Sequence, residues 1–107
     1  MRILWVSRHP PQKEQVDELN SIFGSVDIIF YPERISSAKE VADALIEKKA
    51  DDLVVVLPQS MIADLTSMGI TPIKAIMRRE LKPYGEVVFH HQGFERIKEV
   101  TFTSEKL

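Results

Sequence analysis

Leu53-Val54-Val55-Val56-Leu57 is an unbroken run of five apolar residues, followed by Pro58 and then the polar pair Gln59-Ser60. A strand that is apolar on both faces must be covered on both faces, as happens inside a parallel sheet flanked by helices. The run therefore predicts an α/β protein. In open sheets of this kind ligands bind outside the carboxyl ends of the strands, where each new helix presents free N–H groups. Gln59 and Ser60 stand at such an end.

At 107 residues the chain has room for one ordinary domain spanning positions 1–107, which buries roughly two-thirds of its unfolded surface. Hydrophobic residues at 44% and charged residues at 28% match globular usage, so neither a disordered nor a fibrous class is indicated. No apolar run approaches the ~20 residues of a membrane span, and no secretory signal core opens the chain. A soluble, cytoplasmic protein with no membrane partner is expected. The absence of cysteine removes disulfides, thiolate zinc sites, iron–sulfur clusters and cysteine nucleophiles together. A net charge of -2 argues against general nucleic-acid binding, which needs a strongly basic face, and leaves room only for a local basic patch.

Arg2 to Ser7 reads as a buried first strand, with Trp5 in the core between Leu4 and Val6. Pro10-Pro11 stops it, and Pro11 suits the first turn of a helix whose stripe is Val16, Leu19, Ile22 and Phe23, with Gly24 as C-cap. Val26 to Tyr31 is a second strand, closed by Pro32. Ser37-Ala38-Lys39-Glu40 fits a capping box that opens a second helix, striped by Ala38, Val41, Ala42, Leu45 and Ile46, with Lys48 and Lys49 in its last turn. After the apolar run a third helix is expected from Ser60 to Met68, with Gly69 as its stop.

Ile70 to Leu81 admits two readings. With Thr71 as N-cap and Pro72 in the first turn it is a helix. As a direct continuation from Gly69 it is a fourth strand, which the alternating βα rhythm favours. Lys82 to Gly85 is a turn, after which Glu86–His91 and Phe94–Thr103 read as a C-terminal β-hairpin joined at Gln92-Gly93, with a frayed tail beyond. The expected whole is a three-layer sandwich: a mostly parallel sheet ending in a hairpin.

If the strand order is 2-1-3-4, Ser7, Arg8, His9, Gln59 and Ser60 converge on the switch-point crevice, with Arg78 and Arg79 one position further along the same edge. Helix N-termini and arginines together could hold a phosphate or a carboxylate. The plainer alternative is that Gln59 and Ser60 cap the third helix and the arginines are solvated surface. His9 is the weak candidate for acid–base work; its plainer role is to order the Pro10-Pro11 turn. Ser7 beside His9 lacks the G-x-S-x-G elbow of a serine hydrolase. His90 and His91 point to opposite faces of one strand and cannot chelate one ion, so they read as ordinary sheet surface and no metal site is expected. None of the four glycines lies in a strand-to-helix turn, which excludes both the dinucleotide fingerprint and the P-loop, and no cofactor is expected.

The plan resembles a truncated flavodoxin-like or Rossmann-like sheet, without a diagnostic family motif. In strand order it is similar, over roughly the first 80 residues, to the nucleotide-sensing domains of CRISPR-associated regulators. That resemblance implies cyclic oligoadenylate binding at strand ends. Three functional expectations follow. The first is a binding or regulatory module, homo-oligomeric, that takes a phosphate-bearing small molecule or nucleotide at the strand-end residues. The second is a small hydrolase or nuclease using His9 with arginines on phosphate. The third is an interaction protein acting through its hairpin edge.

Overall fold

The computed structural model describes residues 1–100. The elements are β1 (Arg2–Val6), α1 (Lys13–Phe23), β2 (Asp27–Tyr31), α2 (Ala38–Glu47), β3 (Asp52–Val55), α3 (Gln59–Ser67), β4 (Ile73–Leu81) and β5 (Val87–Arg96). They form a five-stranded sheet in the order β2-β1-β3-β4-β5. Its first four members in space are parallel, and β5 runs antiparallel to β4.

Strand alternation sorts the core into two layers. Ile3, Trp5, Val54 and Ile73 gather with Leu19 of α1 on one face. Leu4, Val6, Leu53 and Val55 gather on the other with Val41 and Ala44 of α2 and Ile62 and Leu65 of α3. The central apolar run is thus covered on both sides through Val55, and Val56, just past the strand, is 54% exposed. No helix among the described residues is long and apolar enough to cross a membrane.

The helix ends depart from expectation in ways that have local causes. α1 begins at Lys13 with Gln12 as N-cap, so Pro11 lies before the helix rather than in its first turn. Gln15 Oε1 accepts the Gln12 N–H at 2.7 Å, and this partnered amide is buried where Ile22, 55% exposed, is not. Ser37 caps α2 as expected, accepting the Glu40 N–H, but the Glu40 carboxylate reaches back to Ser36 instead of Ser37. α2 stops at Glu47, leaving Lys48 as C-cap and Lys49 beyond it at φ 53°.

Ile73–Leu81 is a strand, as the βα rhythm predicts. The hairpin, however, is not the expected one. It joins β4 to β5 through Lys82–Gly85, where Lys82 N–H donates to Glu86 O at 2.8 Å and Gly85 N–H to Lys82 O at 2.9 Å. Gln92-Gly93, expected to be the turn, is absorbed into β5 as a bulge: the register passes from Ile76↔Gly93 to Met77↔His91, and Gly93 takes a φ of 152° that favours glycine. Nine- and ten-residue strands across the Lys82–Gly85 turn bury more pairing than two short ones across Gln92-Gly93. Positions 101–103 of the second expected strand, and the expected tail, lie outside the described residues.

The length of β4 shapes the site. β3 pairs with it only at Val54↔Ile73 and Val55↔Lys74. From Ala75 onward β4 and β5 form a two-stranded arm that projects past the carboxyl edge of the parallel sheet. Its base is tied down on the opposite edge by Arg96, whose guanidinium forks onto both oxygens of Asp52 at 2.8 Å and also donates to Thr71 O.

Candidate functional site

Two cavities open at the carboxyl ends of the parallel strands, and they share a ridge made by Ser7 and Val56. The first, of about 280 Å³, lies between the loop after β1, the start of α1 and the arm. Trp5 forms its floor, Pro10 and His9 one wall, and Met77 and Phe89 of the arm the other. Trp5 Nε1 donates to His9 O at 3.0 Å, which folds the Ser7–Pro10 loop back over the indole. Ser7 Oγ accepts the His9 N–H at 3.2 Å and tightens the same loop. The serine hydroxyl therefore serves the backbone of His9.

Gln15 reaches this cavity from α1 although it is only 2% exposed. Its Nε2 is directed at Met77 Sδ, 3.9 Å away. A thioether is a weak acceptor, so the amide retains donor capacity on a wall that is otherwise largely apolar. Gln12 Nε2 donates to Phe89 O at 3.3 Å and helps fix the arm against the helix start.

The second cavity, of about 180 Å³, lies across the ridge and is lined by Arg8, Glu33, Arg34 and Ile35 among others. Among the described residues, neither Arg8 nor Arg34 has a carboxylate within ion-pair distance, although Glu33 shares the cavity wall. Two guanidinium groups without an ion-pair partner among the described residues, with Glu33 beside them, line this strand-end hollow and supply forked donors suited to phosphate or carboxylate.

No family model matches the chain, and neither does any curated protein or solved structure. The arrangement of the residues is therefore the ground for a functional reading.

The structure divides the residues expected to converge. Ser7, Arg8 and His9 do line the switch point. Gln59 does not join them: it lines a separate hollow of about 390 Å³ with Lys74, Glu95 and Glu99. Gln59 and Ser60 are exposed residues of the first turn of α3, whose N-cap is Pro58, so neither acts as the cap. Arg78 lies four residues beyond the last β3 pairing, about 13 Å out along the arm, because β4 continues where β3 stops. There it sits 3.7 Å from Glu80, which also meets Lys82 at 2.6 Å and His90 at 2.9 Å. Lys82 holds the Glu80 carboxyl below its ordinary range, chiefly through its hydrogen bond, and the His90 hydrogen bond adds to it. Arg79 pairs across the arm with Phe89 and lines neither cavity. Arg78 and Arg79 are features of the arm.

His91 also departs from the expectation of plain sheet surface. Its side chain is 8% exposed and its Nε2 meets Glu18 of α1, while His90 is partly exposed on the opposite face. Arg34, Phe89 and Gln15 are the residues that reading the sequence missed. Arg34 was within reach: in a 2-1-3 order the loop after β2 lies beside the end of β1, so its cations belong with Arg8.

Proposed function

We propose that this chain is a small cytoplasmic binding or regulatory module, on a truncated Rossmann-like or flavodoxin-like plan, that recognises a nucleotide-like anion at the carboxyl ends of β1 and β3. The carrying observation is the pair of abutting hollows, one apolar and aromatic, one bearing Arg8 and Arg34, joined across Ser7 and Val56. A planar base would stack on Phe89, which is 52% exposed, above the floor that the buried Trp5 makes, and such stacking is worth about 1–3 kcal/mol. The Gln15 amide supplies a donor for a ring or carbonyl acceptor. The phosphate then crosses the ridge to the two arginines. Binding is favoured over turnover because no catalytic constellation accompanies His9: the Ser7 hydroxyl is engaged with the His9 backbone, and no hydrogen bond to the His9 ring is made among the described residues.

Thermal-shift and calorimetric titration with nucleoside monophosphates, ribose 5-phosphate and inorganic phosphate tests the reading. A nucleotide should raise the melting midpoint, by the equivalent of about 2.7 kcal/mol at 100 times its dissociation constant. The base-free phosphates should bind more weakly. Phe89→Ala should lower affinity for the nucleotide and leave that for phosphate, and Arg8→Ala with Arg34→Ala should lower both. If no nucleotide shifts the midpoint, or the double variant binds as well as wild type, the site is misassigned.

A further inference from the structure

Among the described residues, the arm leaves one strand edge open. Lys82 N–H donates to Glu86 O. In an antiparallel ladder bonded and non-bonded pairs alternate, so with this register Glu80/Val88 and Arg78/His90 are the bonded pairs. Met77, Arg79 and Leu81 therefore direct their N–H and C=O groups away from β5, toward the side that β3 has already vacated. Phe89 O, which belongs to the non-bonded pair with Arg79, points out of the opposite edge, and Gln12 Nε2 caps it there. Among the described residues the β5 edge is thus obstructed and the β4 edge is not. An exposed row of unpaired backbone groups is a template for another strand.

We propose that a second copy of this chain pairs with that edge, antiparallel, about a two-fold axis at Arg79. The segment Met77-Arg78-Arg79-Glu80-Leu81 is nearly self-complementary about its centre. In that register Arg78 of each copy stands opposite Glu80 of the other on one face of the arm. Met77 stands opposite Leu81 on the other face, bringing together side chains that are 36% and 67% exposed in the single chain. Outward groups of Met77, Arg79 and Leu81 make about six backbone hydrogen bonds between the copies. The two centres that follow are poorer: an axis at Glu80 sets the two glutamates against each other and Arg78 against Lys82, and one at Leu81 places Pro83, which has no N–H, opposite Arg79. Arg79 meeting its own copy is the one repulsive contact. The interface is small, so the dimer is a weak one. It does not depend on an occupied nucleotide site, though it buries the arm next to Phe89.

The chain has no cysteine, so single-cysteine variants report the register without background. Met77→Cys, Arg78→Cys, Arg79→Cys, Glu80→Cys and Leu81→Cys are each oxidised at several hundred micromolar, alongside sedimentation of the wild type. Only position 79 faces itself. Its pair spacing of ~5.5 Å lies in the disulfide range, so Arg79→Cys should link roughly tenfold faster than the other four. Arg79→Pro removes an N–H that β5 does not use, and should sediment as a monomer with the wild-type circular dichroism spectrum. Arg79→Thr, which removes the repulsion, should tighten the dimer. A wild-type monomer throughout this range, linking at equal rates across the five positions, or faster linking at Phe89→Cys on the β5 edge would each overturn the proposal.

Discussion

His91 on β5 turns its Nε2 onto the carboxylate of Glu18 on α1, tying the outermost strand of the sheet to the helix that covers that face. The Gln92-Gly93 bulge makes this contact part of a larger cluster. It places His91 and Phe94, three residues apart, on one face with ring centroids 4.9 Å apart, and Phe94 meets Trp5 edge-on at 6.3 Å. From the outer strand the chain of contacts leads to the floor of the apolar cavity.

Glu18→Ala strands the His91 imidazole, whose Nδ1 already lacks a partner among the described residues. Leaving a mostly buried polar group unpaired costs about 1–3 kcal/mol, more than an exposed ion pair is worth. Urea unfolding should show that loss for Glu18→Ala. His91→Ala combined with it should be less than additive, as expected for residues in direct contact. Strict additivity would mean that the pair does not hold β5 to α1.

The sequence carries the sheet better than it carries the site. A five-residue apolar run, a serine three residues before a glutamate, and glycines after apolar stripes are local signals, and they locate β3, the α2 cap and the helix ends to within a few residues. The arm is different. Where β4 outruns β3 depends on the Pro58 stop in one strand and the pairing length of another, which no window of sequence contains. Arg78 and Arg79 look like strand-end residues only if neighbouring strands end together. His91 illustrates the same limit: alternation rules out chelation with His90, but its burial comes from Glu18, 73 residues away. Gln92-Gly93 and Lys82–Gly85 both carry turn chemistry, and pairing across the sheet decides between them.

Trp5→Phe keeps most of the buried aromatic volume and removes the Nε1 bond to His9 O. The loss should be about 1–2 kcal/mol of stability, from one hydrogen bond and a small packing defect. The functional effect should be larger. With the Ser7–Pro10 loop released, amide exchange at Arg8 and His9 should quicken and nucleotide affinity should fall, while the Arg78 cluster on the arm is unaffected.

Glu80 gives the arm a pH dependence of definite sign. The folded protein holds its carboxyl below the ordinary value of 4.5, first through Lys82 and further through His90. On acidification the unfolded chain takes up this proton before the folded one does. The stability contributed by Glu80 is therefore present above that ordinary value and is lost as pH falls through the lowered folded one. Unfolding measured between pH 6 and about 3 should decline less steeply for Glu80→Gln than for wild type. Parallel declines would mean that solvent screens these partly exposed contacts completely.

Arg96 is the residue for which a conservative change is least conservative. Its guanidinium spans Asp52 on β3 and Thr71 O ahead of β4, so one planar group joins β5 to elements on the far side of its neighbour strand. The Asp52 carboxylate raises the guanidinium further above its usual range, chiefly by hydrogen bonding, and Arg96 stays charged at every working pH. Lysine keeps the charge but has no fork, and cannot satisfy both carboxylate oxygens and the carbonyl at once. Arg96→Lys should therefore cost about 1 kcal/mol, discounted for a side chain that is 35% exposed, and Arg96→Ala somewhat more because the Asp52 side chain is only 13% exposed. If the arm is anchored here, amide exchange in both variants should quicken first along Phe94–Arg96 and the Ile73–Ala75 stretch facing it. Uniform quickening across the sheet would show instead that the fork contributes to global stability without anchoring the arm.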